Sequence, residues 1–189
     1  MKNTLLILLS LFAGYLTPIT GSARPRGQIV AIDNSVFVAL VDTSIESCIC
    51  VQEKDNWCWA ACIQMILLYN GQYVSQNDIA TMAFGNSFNR TASGNQIELA
   101  FDGWCGYSVH SYQSKKSQYL IDEISSGHPL IIGIGEHAYL LSHIFYKKAS
   151  NGLLHPFKVI LINPKTGRED VIEWCDMYSK ANTIISFYR

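Results

Sequence analysis

The sequence predicts an α+β fold: a helical first part whose central, cysteine-bearing helix packs on an antiparallel sheet built from the C-terminal part. Three observations predict it. Residues 57–69, "WCWAACIQMILLY", are almost continuously apolar and contain no glycine or proline. After residue 128 the chain turns to short runs rich in β-branched and aromatic residues. Helical and strand segments are also largely grouped rather than interleaved, so the strands connect through hairpins instead of crossover helices.

In order, residues 28–45 are β-branched-rich and read as one or two strands, with Asp33-Asn34 a turn. The 57–69 helix starts on Asp55 or Asn56 as N-cap and stops at Asn70-Gly71, which places Cys58 in its first turn. A second helix covers 75–84, capped by Ser75 with Asp78 three residues on. A loop, "GNSFNRTASG", leads to a third helix over 96–104. Residues 107–113 alternate as a strand, and 114–127 form a helix with Leu120, Ile121 and Ile124 inward and Gly127 at its end. Strands follow at 129–135, 137–146, 157–163, 169–174 and 183–188, and "PKTGR" (164–168) makes a hairpin connection.

Composition narrows the function. The 189 residues are 49% hydrophobic and 15% charged, enough for one packed domain and too apolar for disorder. The net charge of −1 and scattered basic residues argue against nucleic acid as a partner. Met1-Lys2 precedes an apolar run of about a dozen residues, shorter than the ~18 or more of a membrane span. "GSA" at 21–23 then suits signal peptidase. Residues 1–23 are therefore read as a signal peptide, and the mature chain as secreted or periplasmic, without a membrane span. Its six cysteines, Cys48, Cys50, Cys58, Cys62, Cys105 and Cys175, enter a compartment where disulfides persist. Their pairing is left open by sequence. Cys48-x-Cys50 has no matching ligand pair at zinc spacing, so no metal or other cofactor is expected.

The chemistry centres on Cys58. A thiol attacks carbonyls as its thiolate, and the start of a helix stabilises that charge with unpaired N–H groups and a positive dipole end. An imidazolium must supply the rest. Among His110, His128, His137, His143 and His155, His137 is the best placed, opening a strand directly after "GIGE". His143 lies six residues on, about 20 Å away at ~3.3 Å per residue, and both cannot reach one sulfur. Asn163, closing the strand "VILIN", is expected beside His137 as acceptor for the imidazole. Gln52 is the candidate side-chain donor to a developing oxyanion, along with the Cys58 N–H. Trp57 and Trp59 read as packing around the helix start.

Gln52, a five-residue spacer, then Cys58-Trp59-Ala60 resembles the start of the papain-like cysteine peptidases. The wider string "QEKDNWCWAACIQMILLY", "SQNDIA", "EISSGHPLIIGIGEHAYLL" and "VILINPKTG" resembles their compact bacterial branch, the C39-like and AvrRpt2-like peptidases. The Cys58-to-His137 gap is much shorter than the ~130–150 residues of the papain and cathepsin enzymes, in keeping with that branch. The resemblance implies Cys58 as nucleophile, His137 as general base and acid, Asn163 as orienter and Gln52 in the oxyanion hole. It also implies a papain-like fold with the site in a cleft between helical and sheet halves.

The expected organisation is a signal peptide (1–23), an N-terminal extension or short pro-segment (24–47) and a peptidase domain (48–189), acting as a monomer on peptide or protein substrates. The rivals are a Cys-His acyltransferase or transglutaminase-like enzyme, a cell-wall amidopeptidase, and a non-catalytic binding or toxin module of the same fold.

Overall fold

The most apolar stretch of the sequence becomes the hub of the structure. The computed structural model describes residues 27–102, 104, 108–112 and 116–188, so the expected signal peptide and Cys105 lie outside the described residues. Helix α1 (Cys58–Tyr69) is enclosed, with Cys62, Ile63, Met65 and Leu67 wholly inaccessible. A helix without a polar face is stable only where protein meets every face. Helices α2 (Gln76–Phe84) and α3 (Gly94–Asp102) pack against it. Ser75 caps α2 as expected, its Oγ accepting from the Asp78 N–H at 3.1 Å. Helix α4 (Ser117–Ser125) buries Leu120, Ile121 and Ile124.

Eight strands form one antiparallel sheet: β1 (Gln28–Ala31), β2 (Val36–Leu40), β3 (Ser108–Tyr112), β4 (Leu130–Ile134), β5 (His137–Lys148), β6 (Leu154–Asn163), β7 (Arg168–Glu173) and β8 (Ala181–Tyr188). Their order is β1-β2-β5-β4-β8-β3, with β6 on β5 and β7 beyond it. β5 is the pivot. β4 pairs with its first half, and β2 takes up the same edge from His143 to Lys147. β6 follows the other edge. α1 crosses β5, which brings the helix start towards the strand start.

Two elements were not expected. A 3₁₀ turn (Thr43–Cys48) follows β2, its start capped by Asp42 through the Ser44 N–H. A fifth helix, α5 (Trp174–Lys180), replaces the end of the strand expected over 169–174. Among the described residues, no helix is long and apolar enough to cross a membrane.

Residues of the expected N-terminal extension lie within the sheet and its core: Val38, Ala39, Leu40, Val41 and Ile45 are buried. Large aliphatic side chains contribute about 1.5–3 kcal/mol each on full burial, a sizeable share of a total stability of roughly 5–15 kcal/mol. A chain beginning at Cys48 is therefore expected to lose its cooperative urea transition, followed by tryptophan fluorescence, whereas one beginning at Arg24 keeps it. An unchanged midpoint for the shorter chain would show that β1 and β2 are dispensable.

Candidate active site

Cys58 is the first residue of α1, and the residue is 4% exposed. The helix cap differs from expectation. Trp57 occupies the N-cap and offers no side-chain bond; its own N–H closes a turn onto the Lys54 carbonyl at 3.0 Å. Asn56 is tied to a neighbouring loop, its N–H donating to Asn89 Oδ1 at 2.9 Å and its Nδ2 to the Asn89 carbonyl at 3.3 Å. The Asp55 carbonyl accepts from Gln52 Nε2 at 2.6 Å. An uncapped helix start forgoes about 1 kcal/mol and keeps N–H groups free for another acceptor.

The two tryptophans around Cys58 are buried, and their indole N–H groups face outward from the helix. Trp57 Nε1 donates to the Phe88 carbonyl at 3.0 Å and Trp59 Nε1 to that of Arg90 at 3.1 Å. They hold the loop that lines a cleft of about 560 Å³ in front of Cys58, together with Asn56, Glu136 and His137.

His137 reaches the sulfur from the sheet. A two-residue turn, Gly135-Glu136, joins β4 to β5, with Ile134 paired to His137. Gly135 has φ of 61°, the left-handed value that glycine takes without steric cost and that a two-residue hairpin requires at its first position. Asn182 Nδ2 braces the turn from β8, donating to the Gly135 carbonyl at 2.9 Å. His137 and Cys58 line the same cleft, with the ring close enough to the sulfur to favour its ionisation, and the N–H of Ala138 donates to that sulfur at 3.3 Å.

The charges follow from these contacts. Burial pushes the Cys58 thiol up. The His137 ring, the Ala138 N–H and the Trp59 N–H together outweigh burial and leave it below the ordinary thiol range. His137 is raised above an ordinary histidine, first by the neighbouring Cys58 side chain; burial opposes this, and Asn163 adds to it. The opposed shifts favour a thiolate–imidazolium pair.

Asn163 stands where expected: His137 Nε2 and Asn163 Oδ1 are 3.0 Å apart. An amide oxygen only accepts, so Nε2 carries the proton and Nδ1 is left for the sulfur. Gln52 is placed less openly. Its Nε2 donates to the carbonyls of Lys54 at 3.0 Å and Asp55 at 2.6 Å, using both amide hydrogens. Its Oε1 is buried without a hydrogen-bond partner among the described residues. The Gln52 N–H donates to the Pro164 carbonyl at 2.8 Å, tying its loop to the turn beside Asn163.

The other described histidine side chains lie apart from this cluster. His143 is half-buried and bonded to Ser142 Oγ at 2.9 Å, and His128 pairs with Glu123 at 3.2 Å. Cys48, Cys50, Cys58, Cys62 and Cys175 are free thiols. Burial pushes Cys62 well up and Cys50 to about 11. Sequence reasoning missed Asp170, whose Oδ2 accepts from Asn163 Nδ2 at 2.8 Å. The signal was the β6–β7 hairpin, whose register pairs Asn163 with Arg168 and Leu161 with Asp170.

A helix carrying a cysteine at its start, laid across an antiparallel sheet, is the fold of the papain-like cysteine peptidases. Residues 45–177 match the Peptidase_C39 like family, and the chain belongs to that family of cysteine peptidases. It is structurally similar to the peptidase domain of Streptococcus ComA, a bi-functional ABC transporter involved in a quorum-sensing pathway. That likeness has a TM-score of 0.53 at 10% identity and covers 74% of this chain and 94% of the other, which speaks to fold alone. No curated protein sequence matches this chain.

Proposed function

We propose that the chain hydrolyses peptide bonds in peptide or protein substrates, with Cys58 as nucleophile, His137 as general base and acid, Asn163 as orienter of the imidazole and Gln52 as an oxyanion donor. One observation carries this reading. A buried cysteine at a helix start shares one cleft with an imidazole whose Nε2 is held by an amide oxygen at 3.0 Å.

The Cys58 thiolate attacks the scissile carbonyl carbon, and the oxygen takes the negative charge. The Cys58 N–H, one of the unpaired groups of the first helical turn, donates to that oxyanion. Gln52 joins by exchanging its longer bond, to the Lys54 carbonyl, for the oxyanion. The C–N bond then breaks as the imidazolium gives its proton to the leaving nitrogen. This leaves a thioester and a neutral imidazole. His137 next accepts a proton from water as the water oxygen attacks the thioester, and the acid leaves with Cys58 restored as thiolate. The short apolar run after Met1-Lys2 and the "GSA" that follows support export, with this chemistry carried out beyond the cytoplasm.

The test is mass-spectrometric mapping of an epoxide probe of the E-64 type on the mature chain at pH ~6, where ordinary thiols are protonated. Adduct is expected on Cys58, with Cys50 and Cys62 unmodified. An unmodified Cys58, or a Cys58 found in a disulfide, would reject the reading.

A further inference from the structure

Asn163 orients His137 only if its own amide is oriented, since oxygen and nitrogen occupy nearly the same shape. Two partners decide which atom faces the imidazole. The N–H of Lys165 donates to Asn163 Oδ1 at 3.0 Å, and Asp170 Oδ2 accepts from Asn163 Nδ2 at 2.8 Å. Turning the amide over would set nitrogen against the Lys165 N–H, donor to donor, and oxygen against the Asp170 carboxylate, acceptor to acceptor. Both bonds would be lost and His137 Nε2–H would face a donor.

We propose that Asp170 is a positioning residue of the active site: its carboxylate locks the Asn163 amide so that Oδ1 holds His137 Nε2–H and Nδ1 faces Cys58. This rests on the Cys58–His137–Asn163 reading and adds a fourth member to it. The fold makes the placement firm, because Asp170 lies on β7, two residues beyond Arg168, the β-partner of Asn163. Residues two apart on a strand share a face, so the carboxylate sits diagonally across from the amide.

The orienting role has a consequence that a merely structural contact lacks. Only the polarity of the 163–170 bond matters to the lock, so its donor and acceptor can be exchanged. Asn163→Asp alone sets two carboxylates face to face, where one must take a proton or turn away. Adding Asp170→Asn makes residue 170 the donor and residue 163 an acceptor for His137, for Lys165 and for residue 170 alike.

The experiment measures the rate at which iodoacetamide alkylates Cys58 between pH ~5 and ~9, in wild type, D170A, D170N, N163D and N163D/D170N, with thermal melts alongside. Wild type is expected to react well below the ordinary thiol range. D170A is expected to lose roughly 10- to 100-fold at the acid end, the usual cost of removing an outer-shell orienting partner. D170N keeps an acceptor oxygen and should stay close to wild type. N163D should fall like D170A, and N163D/D170N should recover most of the loss. Failure of D170N to rescue N163D, or a D170A profile lying on that of wild type, would overturn the role of Asp170 alone. Absence of acid-range reactivity in wild type would overturn the triad and this inference with it.

Discussion

Replacing Cys58 by alanine is expected to lower kcat/KM for peptide hydrolysis by roughly 10⁴-fold or more, with the fold intact. The loss is large because the covalent route disappears, and the remaining donors and binding surfaces act only on direct attack by water. The stability cost is small by comparison. The sulfur is buried and takes one hydrogen bond from the Ala138 N–H, so its removal costs about 1 kcal/mol for the bond plus a small cavity. Serine keeps an atom at that position, but a hydroxyl is a far weaker acid than a thiol and the same surroundings do not ionise it. Cys58→Ser is therefore expected to fall at least about 10³-fold. Hydrolysis of a fluorogenic peptide pool, with thermal melts on the same samples, checks both. Undiminished hydrolysis by the alanine variant would mean that no thioester forms at this sulfur.

Much of the candidate site is legible because its members sit at element ends that the sequence marks. Cys58 lies one tryptophan beyond the polar stretch "QEKDN" and opens an apolar helix, His137 follows a Gly-X turn, and Asn163 precedes a proline. These are punctuation points, and strand pairing carries two of them to one place. The less legible parts are contacts that no local pattern encodes. The N–H of Ala138 is backbone and has no residue signature. Asp170 depends on hairpin register. Gln52 was readable as a candidate from its spacing to Cys58, but the engagement of both its amide hydrogens by Lys54 and Asp55 depends on how that loop closes.

The fold shows the same division. α1 was plain from its continuous apolar content, since such a run can only be interior. The helix cap differs because a turn closed by the Trp57 N–H on the Lys54 carbonyl runs up to Trp57, so the helix starts one residue beyond Asn56. α5 was missed because it has only seven residues, with Met177 its one buried side chain, so amphipathic periodicity has no room to appear. β6 begins earlier than expected, at Leu154, and takes in Pro156. A proline is normally unfit for an inner strand. Here it pairs with Tyr146 beside a register shift in the β5–β6 ladder, where the missing N–H is tolerated.

Replacing His137 by alanine is expected to move the titration of Cys58 upward and to separate two reactions that wild type couples. Burial is the largest influence on this thiol and acts against ionisation; the His137 imidazole is the next, and acts for it. Without the ring, only the N–H groups of Ala138 and Trp59 oppose burial, so the thiol rises and its ionised fraction near neutrality shrinks. Alkylation by iodoacetamide should drop at least about tenfold at pH ~6.5 and recover towards pH ~10, where even a raised thiol ionises. Hydrolysis should not recover there, because the proton donor to the leaving nitrogen is gone, a further loss of about 10²- to 10⁴-fold. In wild type, activity should fall at acid pH as the thiolate takes a proton and at alkaline pH as the imidazolium loses one. Both limbs belong to the pair rather than to either residue. An alkylation profile for the variant that overlays that of wild type would show that the imidazole does not ionise this sulfur, and the helix start would then have to do so alone.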